Sequence, residues 1–245
     1  MSSKVDLGLR IVRECAKAGA TCRLLGGVAI RYLIRDVDIP QLLREPKDID
    51  LAAYRRDSRK VINALRQMGL SPDDRFNALH GHERLRFFDT VSNTRVDFFL
   101  DIFRESHVID LRGRLETFSP TIPPSDLLLT KLQIWEINEK DIRDIIAMLY
   151  KFQITQGDSE NTIDINRIVR LTSDDWGLYK TVTINIERTL NHMDKMELPR
   201  EVKEIVSGKL AMLRKAIEEA PKSMRWRARA IIGERVRWYE TPEEA

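Results

Sequence analysis

Two adjacent glycines, Gly26 and Gly27, separate a short apolar run from a stretch of helical character in "LLGGVAIRYL". A strand, a tight turn and a helix fit this order, because glycine permits the backbone conformations that such a turn needs. The first amide groups of the following helix would then be available to an anion. This segment therefore predicts a strand-turn-helix unit whose turn approaches a ligand closely.

The rest of the first half alternates helix and strand patterns. Apolar residues recur at helical spacing from Lys4 to Ala18, and "KDIDLAAY" followed by "SRKVINALRQMGL" repeats the strand-helix order. "ERLRFFD" and "TRVDFFL" flank the polar turn "TVSN" and predict an antiparallel hairpin, while "HVIDL" and "RLETF" around Gly113 could add edge strands. These patterns predict a mixed sheet with flanking helices.

Helical patterns dominate the second half, after three prolines, Pro120, Pro123 and Pro124, interrupt the strand pattern. "SDLLLTKLQIWEI", with Ser125 as its N-cap, and "KDIRDIIAMLYKF" predict the first two helices of this part. We therefore expect an α+β fold with a mixed-sheet core over residues 1–122 and a helical region over residues 123–245.

Composition excludes several classes of protein. No stretch approaches the roughly 20 apolar residues of a membrane span, and the N-terminus lacks an apolar signal core, so we expect a soluble, cytoplasmic protein with no membrane partner. Cys15 and Cys22 are isolated thiols without metal-ligand spacing, and we expect both to be small buried residues. The formal net charge of +3 is too slight to indicate nucleic-acid binding by itself.

Three acidic residues fall within the apolar strand patterns. Asp48 and Asp50 in "KDIDL" project from the same side of a strand, and Asp97 in "RVDFFL" is flanked by Val96 and Phe98. Like charges this close repel unless a cation lies between them, and their oxygens suit Mg²⁺ or Mn²⁺. If the two strands are neighbours, the three acids converge as a two-metal site for phosphoryl chemistry. The alternative is a solvated strand face.

The order of these features resembles the nucleotidyltransferase superfamily related to DNA polymerase beta, at "LLGGVAIRYL", "KDIDL" and "RVDFF". The resemblance covers about the first half of the chain. It implies that Gly26 and Gly27 seat the triphosphate of an NTP and that Asp48, Asp50 and Asp97 bind the metal ions.

The segment "PPSDLLLTKLQIWEINEKDIRDIIAML" resembles the helical motif of AbiEii-type and related minimal nucleotidyltransferases, some of which are toxins of bacterial toxin-antitoxin pairs. The resemblance implies that Lys131 contacts the triphosphate and that Asp141 polarises the attacking hydroxyl, with Asp144 as a secondary candidate. The loop "RDVDIPQLLREP" makes the stretch between Gly27 and Asp48 longer than in the compact members of the family, and a lid or a substrate contact is one interpretation of it.

Arginines alternate with aromatic residues near the C-terminus, in "KSMRWRARAIIGERVRWYE". Arginine beside aromatic rings can bind a phosphate backbone and stack on bases, which makes RNA contact one hypothesis. The alternative is a surface helix whose arginines pair with nearby glutamates, with the tryptophans in helix packing.

The resemblance implies a Mg²⁺-dependent nucleotidyltransferase that transfers NMP from an NTP to a hydroxyl acceptor. The acceptor stays open between an RNA end, a protein and a small molecule. The enzyme could be a toxin held in check by an antitoxin protein. The alternative is a non-catalytic module that senses nucleotides or binds a partner with the same fold.

Overall fold

The computed structural model describes residues 3–159 and 162–241. These residues form ten α-helices and nine β-strands, and the chain divides into two compact units. The first unit comprises Met1–Asp36, Arg44–Arg104 and Val108–Pro123, and the second comprises Val37–Leu43, Glu105–His107 and Pro124–Ala245. The expected combination of helices with a mixed sheet is confirmed.

The first unit contains the mixed sheet. Its helices are α1 (Ser3–Lys17), α2 (Gly26–Leu33), α3 (Ser58–Gln67) and α4 (Asp74–His80). Its strands are β1 (Cys22–Leu25), β2 (Ile49–Ala53), β3 (Ser71–Pro72), β4 (Arg84–Asp89), β5 (Thr94–Leu100), β6 (Ile102–Arg104) and β7 (Val108–Asp110). The five-stranded sheet has the order β1-β2-β5-β4-β3, with β2 and β5 parallel and the other neighbours antiparallel.

Alternation along the strands separates an apolar face of this sheet from a charged one. Leu51 pairs in register with Phe98, and both are fully buried on the face that receives α1. The helix approaches closely at Gly8, where an added Cβ would lie 2.8 Å from the side chain of Leu24. The residues that alternate with these along each strand, including Asp50 and Asp97, belong to the opposite face.

Of the two segments that could add edge strands, "HVIDL" contains a strand and "RLETF" does not. Residues of "HVIDL" form β7, which pairs with β6 in a separate two-stranded sheet, and residues 112–119 form turns. Asp101, which has a positive φ of 66°, separates β5 from β6, and residues 105–107 connect β6 to β7. A side-chain ion pair between Arg112 and Asp110 and the left-handed Gly113 then turn the chain after β7.

The second unit is mostly helical. Its helices are α5 (Pro124–Leu132), α6 (Glu139–Lys151), α7 (Ile165–Asp174), α8 (Trp176–Lys195), α9 (Arg200–Glu219) and α10 (Met224–Ile232). Two short parallel strands, β8 (Gln153–Thr155) and β9 (Thr162–Asp164), interrupt the helices, whereas the sequence predicts helices alone.

The expectation that Ser125 caps the first of these helices is wrong. Helix α5 already begins at Pro124, because proline fits the first helical position, where its missing N–H has no helical partner to lose. The hydroxyl of Ser125 instead donates to Asp158 Oδ1 at 2.6 Å.

Both cysteines are buried and neither forms a disulfide, which confirms the expectation of small core residues. Burial raises the pKa of the Cys22 thiol well above its ordinary value, and its hydrogen bond with Cys15 acts in the same direction. Across the described residues, no helix is both long and apolar enough to cross a membrane.

Candidate functional site

The charged face of the sheet brings two of the predicted acids into register. Asp50 on β2 pairs with Asp97 on the parallel strand β5, so the two carboxylates leave neighbouring strands on the same face. On the other side of β5, Arg86 of β4 is the antiparallel partner of Asp97. The sheet therefore places Asp50, Asp97 and Arg86 side by side on three neighbouring strands.

Asp97 is fully buried and is surrounded by three guanidinium groups. Its Oδ1 accepts a hydrogen bond from Arg86 Nε at 3.0 Å. Its Oδ2 accepts one from Arg84 Nη2 at 3.1 Å and lies 3.0 Å from Arg95 Nε. Both oxygens are thus used by cations that belong to the protein, which balances the charge of a carboxylate that could not be buried alone.

Arg95 also reaches the third predicted acid. Its Nη2 donates to Asp48 Oδ2 at 2.8 Å, while its Nε faces Asp97. Asp48 lies just before β2 and keeps about a third of its side chain exposed, 34% against 0% for Asp97. One guanidinium therefore bridges Asp48 and Asp97, and it separates their charges.

The turn between β1 and α2 approaches the carboxylate of Asp50 at Gly26. Gly26 has a left-handed φ of 60°, and a Cβ added to it would lie 2.5 Å from Asp50 Oδ2. The backbone can approach the carboxylate this closely only where no side chain is present. The predicted turn between a strand and a helix at the two glycines is thus present, and Gly26 in it lies next to Asp50.

Gly27 makes a second close approach, to the end of the long loop before β2. A Cβ added to Gly27 would lie 2.7 Å from Nη2 of Arg44. Within that loop, Pro40–Leu42 form a short 3-10 turn. The guanidinium of Arg44 thus lies beside the first turn of α2, where backbone N–H groups are available to an anion. The sequence interpretation did not single out Arg44.

The three acids differ in how well they suit a divalent cation. Asp48 and Asp50 are half-buried oxygen donors of the kind that Mg²⁺ prefers. Asp97 in this arrangement does not fit as a ligand, because both its oxygens face guanidinium groups. In the described residues, no group of three or more His, Cys, Asp or Glu side chains that could hold a metal ion is found. The predicted ligand role of Asp97 stays a prediction.

The helical motif forms a compact ionic cluster within the second unit. Lys131 Nζ on α5 donates to Asp141 Oδ1 at 2.8 Å and lies 3.1 Å from Asp144 Oδ2, both on α6. All three side chains are at most 11% exposed. The cluster joins α5 to α6, and one lysine here forms ion pairs with both acids. The roles that the resemblance gives to Lys131 and Asp141 in nucleotide transfer stay predictions.

The aromatic residues of the C-terminal segment pack against one another. Trp238 lies edge-on to Trp135 with ring centroids 5.0 Å apart, and Tyr239 stacks on Trp135 at 4.3 Å. Arg229 donates to the carbonyls of Gly233 and Val236. These contacts favour the interpretation of intramolecular packing over base stacking for these rings.

Three residues of the charged face were not identified from the sequence: Arg84, Arg86 and Arg95. A signal for the first two was present, because "RLR" in a predicted strand places both arginines on one face. Arg95 stands two residues before Asp97 and shares its face for the same reason. A carboxylate within an apolar strand pattern indicates a site because burial of its charge is costly, whereas arginines in a strand are common at a solvated face.

No model of a known protein family matches the chain, and no curated protein matches it either.

Proposed function

We propose that the chain is a nucleotidyltransferase that transfers NMP from an NTP to a hydroxyl acceptor, in the presence of Mg²⁺ or Mn²⁺. The observation that carries the proposal is the register of β2 and β5, which sets Asp50 beside Asp97 on one sheet face, next to the glycine turn at Gly26. The resemblance to the polymerase beta superfamily rests on the same residues.

In this proposal, Asp48 and Asp50 hold the divalent ion, whose charge would polarise the α-phosphate and stabilise the departing pyrophosphate. The acceptor oxygen forms a bond to the α-phosphorus, the bond from that phosphorus to the β-phosphate oxygen breaks, and the hydroxyl proton passes to a base. Gly26 and Gly27 offer backbone N–H groups to the phosphates, and Arg44 adds a positive charge beside them. Asp97 would join the ligands only if a guanidinium released it.

The test follows label from each α-labelled NTP, with Mg²⁺ or Mn²⁺, into total cellular RNA, into protein and into small molecules. We expect transfer by the wild type and at least a hundredfold loss in Asp48→Asn and in Asp50→Asn, the order expected when a charge-stabilising group is removed. Asp6→Asn on the exposed part of α1 is the matched control and should transfer normally. Equal transfer by wild type and Asp50→Asn would refute the assignment.

A second candidate is a module that binds nucleotides without turning them over. The three guanidinium groups on Asp97 favour it, because they occupy the oxygens that the two-metal arrangement needs. NTP binding without label transfer to any of the three pools would support this candidate against the first.

The toxin interpretation is a separate proposal about the role of the enzyme. Expression of the wild type should then arrest growth, and Asp50→Asn should relieve the arrest at equal protein level. A small antitoxin protein would be expected to protect cells when it is co-expressed. Arrest that persists in Asp50→Asn would show that growth inhibition does not depend on the proposed site.

A further inference from the structure

The arginine cluster of the charged face, formed by Arg84, Arg86 and Arg95, has more donors than its carboxylates use. Three guanidinium groups pair with two acids, Asp97 and Asp48. Each guanidinium carries five N–H donors and no acceptor, so such a cluster can be satisfied only by oxygen-rich partners.

Three N–H-bearing nitrogens of the cluster are buried and make no hydrogen bond in the described part of the chain: Arg84 Nε, Arg86 Nη2 and Arg95 Nε. Arg95 Nε lies 3.0 Å from Asp97 Oδ2, yet its geometry does not make a hydrogen bond. Arg86 as a whole is only 6% exposed. Buried donors are almost always bonded, so the N–H groups of this cluster that make no hydrogen bond within the protein can be satisfied by ligand oxygens or by water.

The cluster is held in place by rings and by backbone contacts. The guanidinium carbon of Arg86 lies 3.8 Å from the ring centroid of Phe76, and that of Arg84 lies 4.6 Å from the centroid of Phe99. Asn77 of α4 fixes the Arg86 backbone, accepting from its N–H and donating to its carbonyl. The donors are thus positioned before any ligand arrives, which reduces the entropy lost on binding.

An approach from solvent remains open at two of the three arginines. The side chains of Arg84 and Arg95 are 28% and 33% exposed, whereas that of Arg86 is 7% exposed. A ligand can therefore contact Arg84 and Arg95 first, with the buried Arg86 behind them. The cluster carries one more positive charge than the two carboxylates it pairs with, and its N–H donors attract an oxyanion.

We propose that the arginine cluster of β4 and β5 is a phosphate-binding site that takes pyrophosphate or the phosphates of a nucleotide without a divalent metal. Phosphate oxygens match the forked donors of arginine, and several of them can satisfy the unpaired N–H groups together. This inference does not rest on nucleotidyl transfer, because it concerns binding in the absence of metal.

The test is calorimetric titration of the full chain in EDTA, at about physiological ionic strength, so that nonspecific attraction is screened. Pyrophosphate, inorganic phosphate, ATP and adenosine are the probes. We expect pyrophosphate and ATP to bind and adenosine to give no signal. Equal affinities for pyrophosphate and ATP would identify the phosphates as the whole ligand, while tighter ATP binding would identify a nucleotide.

Arg84→Gln is the decisive variant, since Asp97 keeps Arg86 and Arg95 as partners. We expect it to bind pyrophosphate at least tenfold more weakly than wild type, while Arg59→Gln, an exposed change on α3, binds normally. Circular dichroism and thermal unfolding establish that each variant is folded. Arg86→Gln should lose binding more completely, and it is interpreted only if it passes that check.

Two results would overturn the proposal: no pyrophosphate binding in EDTA, or equal binding by wild type and Arg84→Gln. Failure of transfer is recorded separately, with Mg²⁺ and the Asp50→Asn variant. Binding of pyrophosphate in EDTA without label transfer would support the phosphate site and refute the proposed nucleotidyltransferase activity. Label transfer without pyrophosphate binding in EDTA would support the nucleotidyltransferase activity and refute the phosphate site.

Discussion

At Gly26, both the backbone conformation and the position of the nearby Asp50 carboxylate require that there is no side chain. Its φ of 60° lies in the left-handed region, where an L-residue with a Cβ is strained. Its Cα also faces the Asp50 carboxylate, so any side chain would displace that acid. The two costs are separable, because Gly113 shares the positive φ but has open space around it.

Gly26→Ala should therefore destabilise the protein more than Gly113→Ala. We expect Gly113→Ala to lose about 1–2 kcal/mol of unfolding free energy, the cost of the left-handed conformation alone. Gly26→Ala should lose that amount and more, because Asp50 must move. Urea unfolding followed by circular dichroism measures both. Equal losses of unfolding free energy in the two variants would show that the close approach to Asp50 adds nothing to the cost of a side chain at Gly26.

At the residue scale, the sequence identified the acids but not their partners. Asp48 and Asp50 could be placed on one side of a strand because alternation is a local property, whereas the position of Asp97 beside them depended on the pairing of β2 with β5. That Asp97 is buried under three arginines follows from the pairing of β4 with β5, which brings Arg86 opposite Asp97. Pairing is a nonlocal property, and the sequence pattern of "ERLRFFD" indicates a strand without stating what its arginines contact.

At the scale of elements, the parallel contact of β2 with β5 was expected only conditionally, and it is the contact that aligns the acids. The strands themselves were predictable from apolar runs bounded by turn residues. Helix α4 was not predicted, although Asp73 provides an N-cap and accepts from the N–H of Phe76. The short helix carries Phe76 and Asn77, so the missed element is one that holds the arginine cluster.

The buried ion pair between α5 and α7 is a second contact of elements that the sequence does not reveal. Asp126 on α5 is fully buried and accepts from Arg167 Nε on α7 at 2.8 Å, with Arg167 only 7% exposed. Removing one partner takes a buried ion pair from the charge that remains, which is more costly than losing an exposed pair.

Arg167→Met should accordingly lose about 3–5 kcal/mol of unfolding free energy, because Asp126 stays buried and loses the guanidinium of Arg167. The matched control is Arg214→Met on α9, whose pairs with Glu187 and Glu218 are exposed and should be worth at most about 1 kcal/mol. Urea unfolding of both variants gives the comparison. The double variant Asp126→Leu, Arg167→Met should recover part of the loss, and a cost as small as that of Arg214→Met would contradict the argument.

At the scale of the whole molecule, the division of the chain into units is more complex than the predicted boundary between residues 122 and 123. Residues 37–43 and 105–107 are grouped with the second unit. Leu42 is fully buried and its 3-10 turn contacts α6, and the N–H of His107 donates to Gln133 Oε1 at 2.6 Å. Such groupings come from tertiary contacts, which local periodicity does not encode.

His107 also ties the stability of the protein to pH. Burial lowers its pKa below the ordinary value, and this effect exceeds the opposite influence of Asp175 and Glu240. Its Nε2 lies 2.8 Å from Thr181 Oγ1, which also accepts a hydrogen bond from Trp238 Nε1. The folded state therefore favours the neutral ring.

In the unfolded chain His107 binds its proton near the ordinary pKa of about 6.5, so between the two pKa values the unfolded state binds more protons. Stability then rises with pH in that window. The contribution of neutral His107 is fully present above about pH 7 and is lost as the pH falls through about 6.5 toward the lower folded pKa.

Replacement of His107 by Gln should consequently flatten the pH dependence of unfolding. Between about pH 7.5 and 5.5, wild type should lose up to about 1.4 kcal/mol per pH unit more than the variant, the maximum for one proton. Urea unfolding at both pH values gives the difference, and His80→Gln, at the exposed end of α4, should behave like wild type. A variant that loses as much stability on acidification as wild type would show that His107 is protonated in the folded protein as readily as in the unfolded chain. The lowering by burial would then be offset in full by Asp175 and Glu240, the two acids that act against it.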